Sequence, residues 1–547
     1  MENRKPLFLI ALCVGVLFLL GNTFVQKMLD ENIRKNKLID EQFLDGAPPL
    51  VAFSTQALGG FRGLIADGLW LRAINMQEKG RYFEMVQLAS WIMKLQPKST
   101  ATAAYLGWNM AYNISVTYSR KEDRWRWVNK GIELYHEALN YNPNDPTLYK
   151  ELGWIYQHKL GNILDDAQRY YKYQIAMEML KIMGVHYPDW KRLSAAPRTL
   201  AAFRKTLPQN SNFLKILQEC NYDSLEQLSR EFRSSGGLFP ARLEARLDKE
   251  LCGKLIDTLR VSWLKDRFGL DPSYVVQVEK LYGELDWYLP ESFAIYWAHL
   301  GIDRSPNREN LDCERMITQA LHVIFTNGRM LFVGKTPNED FLLVPNLSVV
   351  DAAVASYDKA VKNNPNVLSF IHARENFITR AIASLYSFGQ YSKAREYYEK
   401  IQKISQTTGA RRLSFDAFVI RAWEEEVRDA GYKQAQDFIS GLIVRACILL
   451  GYGDYTAAAG HLRLGEMIYK EFTTRMDVER LKLPPYAQMK AEIAKSIMES
   501  VSPEMAARIR GQIAADALKG DSRVDQSKMP QKITLPLAPG ADKTVNK

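Results

Sequence analysis

The densest chemistry in the chain is the acidic and aromatic stretch of Glu284, Asp286, Trp287, Tyr288, Pro290, Glu291, Tyr296, Trp297 and His299. Carboxylates beside rings on which a sugar can stack are the equipment of glycoside hydrolysis, in which one acid protonates the leaving oxygen and a second carboxylate attacks or activates water. Helix packing explains the same residues, with Glu291 in a first helical turn where the macrodipole favours an acid. That explanation is the simpler one. A second cluster, Arg124, Trp125, Arg126 and Trp127, joins positive charge to aromatic rings, as contacts to lipid headgroups or nucleic acid do. Trp125, Val128 and Ile132 fall at i, i+3 and i+7, so this cluster reads as the buried stripe of a helix with arginines at its flank.

Neither cluster carries a recognisable catalytic pattern. None of the seven histidines lies in H-E-x-x-H or H-x-E, and the chain has no G-x-S-x-G, phosphate-binding loop or dinucleotide glycine fingerprint. Cys220, Cys252, Cys313 and Cys447 are far apart and lack C-x-x-C or Cys/His metal spacing. They read as small buried residues, with pairing in an oxidising compartment as the alternative. Glu424, Glu425 and Glu426 read as a solvated face. No catalytic residue, metal ligand or cofactor is assigned, and the chain is not read as an enzyme. An envelope enzyme, or a glycan- or solute-binding protein, with its site in the central region is kept as the alternative.

What would position any site is a repeated helix hairpin. Ala66 to Pro97 reads as one such unit: Ala73 lies where two helices touch, Gly80 and Tyr82 mark the turn, Met85, Ala89 and Ile92 share a face, and a proline closes it. Counting 34 residues on from Ala73 reaches Gly107, preceded by Leu106, so the register holds. The second unit is interrupted by about twelve residues, Asn113 to Arg124, and resumes with Gly131, Tyr135, Ala138 and Pro143. A third carries Tyr149, Leu152, Gly153 and Tyr156, then Ala167 and Tyr171. Further copies stand at Ala353, Tyr357, Ala360 and Pro365, at Gly389, Tyr391, Ala394 and Tyr398, and more weakly at Gly453, Tyr455, Ala458 and Leu462.

This order of small, aromatic and closing proline residues resembles the tetratricopeptide repeat (TPR) family. The resemblance implies an all-α, TPR-like solenoid of helical hairpins, in which neighbouring units bury a face that one unit cannot bury alone. Leu58 to Leu180, on Gly59, Gly60, Phe61, Arg62, Gly63, Leu64, Asp67, Trp70 and Arg72, is also similar to membrane-anchored bacterial repeat proteins of no assigned activity. That implies a bacterial envelope setting.

Composition agrees with a long helical array. The 547 residues, 47% of them hydrophobic, suffice for several hundred residues of solenoid core. Lys and Arg number 72 against 62 Asp and Glu, a net +10, but the signs are mixed along the helices and no dense basic block appears, which argues against a nucleic-acid partner. Arg4 and Lys5 precede an apolar run from Leu7 to Leu20 that extends to Val25, about nineteen residues and long enough to span a bilayer. Leu19, Gly21 and Thr23 make poor cleavage positions, so an uncleaved anchor is preferred to a removable signal peptide. Cys13 lacks the preceding small residue of a lipidated cysteine. Lys27, Arg34, Lys35 and Lys37 outnumber Arg4 and Lys5, which alone would keep the bulk in the cytoplasm; the very short charged tail favours translocation instead. The expected place is the bacterial inner membrane, single-pass, with the bulk extracytoplasmic.

The expected plan is a tail and anchor over 1–27, a juxtamembrane linker over 28–57, an N-terminal repeat array over 58–183, and a central, mostly helical region over 184–346. A C-terminal array follows over 347–518, then a disordered tail over 519–547. The central region is either an inserted domain or diverged repeats, with Pro290 to Gly328 as one degenerate hairpin. The family resemblance implies a concave groove lined by first-helix residues: Lys150, Trp154, Gln157 and His158, with Trp108 and Tyr112 before them and Asn376, Thr379 and Tyr386 later. Aromatic anchors with a few polar donors suit a peptide or protein segment, although large aromatics on repeat helices also serve inter-repeat packing. The chain lacks a repeated Asn/Lys/Arg clamp for a terminal carboxylate. The implied function is a membrane-anchored scaffold or adaptor in assembly of an envelope complex for secretion, transport or pilus formation.

Overall fold

The computed structural model describes 62–520, except 97, 163, 209–210, 306–309, 333–340, 405–412, 416, 420, 423–431 and 476–482, together with 21, 25, 27–29 and 31–32. The expected anchor over 7–20, most of the linker, Pro97, the three-glutamate run and the tail beyond 520 lie outside the described residues. The chain divides into two compact units, Met1–Ile155 with Gly301–Arg308, and Tyr156–Leu300 with Glu309–Lys547. The described residues are all-α but for one two-stranded hairpin.

The first unit stacks α1 (Arg62–Glu78), α2 (Tyr82–Leu95), α3 (Thr100–Trp108), α4 (Lys121–Tyr141) and α5 (Pro146–Trp154). Gly80 takes φ +69°, the left-handed conformation that turns α1 into α2 and that side chains resist. Ala73, Met85, Ala89 and Ile92 are fully buried. At Gly107 a Cβ would lie 2.4 Å from the Tyr135 ring, and at Gly131 it would lie 2.8 Å from the Gly107 carbonyl oxygen. Two glycines thus let α3 and α4 touch, and Tyr135 lies in the contact, its hydroxyl donating to the Ala104 carbonyl at 2.9 Å.

The inserted residues lengthen the hairpin rather than break it. α3 runs on through a π turn, Asn109–Ile114, and a 3-10 turn, Ser115–Thr117, before the 21-residue α4. α5 likewise runs on through a π turn, Ile155–Leu160, which starts 46 residues after the first, as the 34-residue period plus the insertion of about twelve requires. Second helices close alike in both repeat blocks. Gln96, Asn142 and Asn364 cap them at φ −132°, −131° and −131°, each N–H reaching back to the carbonyl of Ile92, Ala138 and Ala360. Each stands before a proline in the sequence, which disfavours helical backbone at the residue preceding it.

The second unit begins with α6 (Gln168–Met183) and then four short helices, α7 (Trp190–Ala195), α8 (Leu200–Thr206), α9 (Phe213–Glu219) and α10 (Leu225–Ser234), and a single helical turn, Ala241–Glu244, before α11 (Lys249–Phe268) and α12 (Pro272–Tyr282). Local caps start these pieces where periodicity is too short to do so: Asp189, Thr199, Ser224, Asp248 and Asp271 each accept a backbone N–H of the first turn. Phe203, Phe213, Tyr222, Phe232 and Leu259 form their core. After α13 (Pro290–Arg304) come α14 (Leu311–Asn327) and the antiparallel strands β1 (Arg329–Phe332) and β2 (Phe341–Val344), paired Arg329 to Val344 through Phe332 to Phe341. The hairpin is a small β element in a region expected to be mostly helical; four-residue apolar runs carry no period by which strand and helix can be told apart.

The C-terminal array is α15 (Val350–Asn363), α16 (Leu368–Ser387), α17 (Tyr391–Ile404), α18 (Tyr432–Tyr452), α19 (Tyr455–Arg475), α20 (Tyr486–Ser500) and α21 (Pro503–Gly520). α14 packs on α15, α15 on α16 and α16 on α17, which carries the hairpin order out of the central region. Gly389 and Gly453 turn these hairpins at φ +77° and +84°. Gly465 repeats the device of Gly107: a Cβ there would lie 2.9 Å from the Tyr486 hydroxyl, which donates to the Leu462 carbonyl at 2.8 Å. Ala435–Tyr452 is apolar enough to cross a membrane, at a mean hydropathy of 1.3, but 56% of it is buried and α18 packs against α19, α20 and α21.

Candidate functional site

The repeat register places one type of residue at the same point of three successive first helices. A buried small residue is followed by an exposed apolar one: Ala73 and Ile74, Gly107 and Trp108, Gly153 and Trp154. Successive helical residues point about 100° apart, so a residue after the one under the second helix turns outward. Ile74, Trp108 and Trp154 are 44%, 40% and 38% exposed. α3 packs against α5, and Tyr112 of the π turn that follows α3 stacks on Trp108 at 5.5 Å. α1 is tied to α3 by Tyr105, whose hydroxyl donates to Gln77, and by Gln77, which donates to Asn109 at 3.3 Å. Lys150 pairs with the adjacent Glu151 at 2.9 Å.

The other expected groove residues belong to the second unit. Gln157 donates to the Met316 carbonyl at 3.2 Å and so ties two segments together. His158 is half-buried, and desolvation holds its pKa below the usual imidazole value. On α16 Asn376 is exposed and Thr379 half-buried, while the Tyr386 ring lies between Tyr391 and Phe415. Ile74 escapes an eye for aromatics and polar donors; the count of 34 back from Trp108 finds it.

The acidic and aromatic stretch is built inward. Trp287, Tyr288, Tyr296 and Trp297 are 2–4% exposed and pack on other rings. Asp286 accepts from His186 Nε2 at 2.9 Å, from the Tyr288 N–H at 3.0 Å and from the Met330 N–H at 2.8 Å. Glu291 pairs with Lys172 at 3.2 Å, both about 5% exposed or less. His299 Nδ1 meets the Tyr274 hydroxyl at 2.7 Å. In the other cluster Trp125, Val128 and Ile132 are buried, whereas Trp127 joins Phe83 and Tyr118 in a half-exposed ring group. Cys220, Cys252, Cys313 and Cys447 are buried thiols outside any disulfide, and burial pushes the Cys447 thiol up to about 11. No group of three or more metal-ligating side chains stands together among the described residues.

The second unit also holds a cavity of about 400 Å³ that no sequence pattern announced. Its walls are Val344 to Ser348 after β2, Phe388 and Gln390 after α16, Leu449, and Asp454 to His461 at the start of α19, with Tyr187, Glu284, Asp286 and Arg329. Asp454 caps α19 through the Ala457 N–H at 3.1 Å and faces Arg329 at 3.4 Å. His461 is 2% exposed, hydrogen-bonds the Ala457 carbonyl through Nδ1 at 3.0 Å and lies edge-on to Phe388. Burial lowers its pKa to about 4. Burial and the nearby Asp286 raise the Tyr187 phenol.

No known family profile matches the chain. Over 140 residues, 24% of this chain and 70% of the relative, it is 29% identical to the photosystem I assembly protein Ycf3 of Synechococcus sp. (strain CC9605), a TPR-containing protein. The likeness is to a repeat protein. It agrees with the helical hairpins, the shared caps at Gln96, Asn142 and Asn364, and the recurring small-residue contacts at Ala73, Gly107 and Gly153.

Proposed function

We propose that the protein is a membrane-anchored repeat scaffold that holds protein or peptide segments during assembly of a bacterial envelope complex of the secretion, transport or pilus type. The observation that carries this reading is the recurrence of Ile74, Trp108 and Trp154 as exposed apolar residues at one register of successive first helices. A core residue exposed once is unremarkable; the same exposure at each repeat is what a binding face requires. Tyr112 beside Trp108 and Lys150 one turn before Trp154 supply the polar contacts at its edge. Likeness to an assembly protein supports the same class of role. The apolar run over 7–25 would tether this face to the inner membrane, with the repeats on its outer side.

The test is chemical crosslinking of the full-length protein in its native membrane, followed by mass spectrometry, for the natural chain and for a Trp108→Ala, Trp154→Ala variant. Truncating two exposed anchors should leave folding intact and remove the crosslinked partners, since aromatic anchors at interfaces contribute about 2–4 kcal/mol each. Identical recovery from both forms, or no partner above background, would refute the scaffold.

A further inference from the structure

The cavity of the second unit is lined by hydrogen-bond acceptors to a degree that its packing role does not require. Glu284, Asp286 and Asp454 stand there with a single guanidinium, that of Arg329, among the lining residues. Asp286 accepts from the Tyr288 and Met330 N–H groups and from His186 Nε2, which leaves its carboxylate at the cavity wall. Arg329 is committed to Asp454. Glu284 is exposed at the cavity's edge. An independent observation is His461, a polar side chain that is 2% exposed and lines the cavity. Its Nδ1 must carry the proton it donates to the Ala457 carbonyl, and a buried neutral ring then offers Nε2 as an acceptor. Phe388, Leu347, Leu449 and Val344 supply apolar wall between these groups.

We propose that this cavity binds an aliphatic cation, an ammonium or guanidinium on an apolar stem such as a lysine or arginine side chain. The stem lies against Phe388 and Leu449, and the charged head donates to Glu284 and His461 Nε2. A volume of about 400 Å³ admits one such chain with its backbone and no large ring system. The site shares no residue with the Trp108 and Trp154 face, and either can fail without the other.

Titration calorimetry of the full-length protein in mild detergent tests this with three probes: Nα-acetyl-lysine N-methylamide, its norleucine counterpart, and 1,5-diaminopentane. The two cations bind and the norleucine compound does not. Glu284→Gln weakens the cations about tenfold without moving the melting temperature, because an exposed carboxylate loses a charge-assisted bond and no packing. Thr456→Trp, at an exposed position on the cavity wall, abolishes binding by filling it. Tighter binding of the capped lysine than of the diamine assigns the cation to a polypeptide, and the reverse assigns it to a free amine; both uphold the site. Equal binding of norleucine and lysine compounds, absence of binding by either cation up to ~10 mM, or indifference to Glu284→Gln overturns it.

Discussion

The Gly107 contact in the first unit and the Glu291 contact in the second hold helices together by opposite means. At Gly107 nothing is charged: the absence of a Cβ lets Tyr135 lie flat on α3, and a phenol donates to a helical carbonyl. At Glu291 a carboxylate and the Lys172 ammonium are taken out of water together, 119 residues apart in the chain. Lys159 and Asp165 are buried beside one another in the same unit at 2.6 Å. Shape can be repeated every 34 residues, because each copy meets only its neighbour. A buried ion pair cannot, since each charge needs one partner at one place, and Lys172 of the third repeat finds its partner, Glu291, outside the repeat.

The largest test of that contrast is to remove one charge. Lys172→Met leaves Glu291 buried without its counter-ion and should destabilise the second unit by about 3–5 kcal/mol, read as a fall in the urea midpoint. Lys172→Met with Glu291→Leu should recover most of that loss, because desolvation of both charges is then avoided. A single variant as stable as the natural chain would mean that the pair is not the organising contact of this region. Acid offers the next largest effect. His461 titrates at about 4 when folded against 6.5 as a free side chain, so the unfolded chain takes up the proton first. The stability its neutral form contributes is complete above pH 6.5 and is lost as pH falls toward 4, by up to about 3 kcal/mol for a group this buried. His461→Gln should flatten that part of the stability profile; an unchanged slope would assign acid sensitivity elsewhere, with His322, also lowered to about 4, as the first candidate.

What is legible in the sequence follows the same division. Ala73, Gly107 and Gly153 can be found by counting, since a solenoid writes its contacts at a fixed spacing. Asp286 looks like a catalytic acid in the sequence because its donors, His186 and the Met330 N–H, lie 100 and 44 residues away and leave no local trace. The β1–β2 hairpin is invisible for want of length. The cavity is assembled from separate stretches between Tyr187 and His461, and His461 by itself is an ordinary helical histidine. Trp125 reads as core and is core; Trp127, two residues on, faces Phe83 and Tyr118 instead, and only the partner helix decides that.

Glycine replacement gives the smallest effects and the sharpest contrast, because one substitution should have opposite signs within the same repeats. Gly107→Ala drives a methyl into a ring 2.4 Å away that is pinned by its hydroxyl and cannot swing aside, so α3 and α4 must part at a cost of about 1–3 kcal/mol. Tyr135→Phe in the same background should relieve part of it, since the ring then loses the hydroxyl bond that pins it. Gly68 lies exposed on α1, where an added methyl would meet nothing within 4 Å. Gly68→Ala therefore only narrows the unfolded chain and raises helix propensity, stabilising by about 0.5–1 kcal/mol. Thermal denaturation of the two single variants should shift in opposite directions. A stabilising Gly107→Ala would mean that α3 and α4 are not held in contact by the missing Cβ, and the repeat register would then rest on the caps and apolar stripes alone.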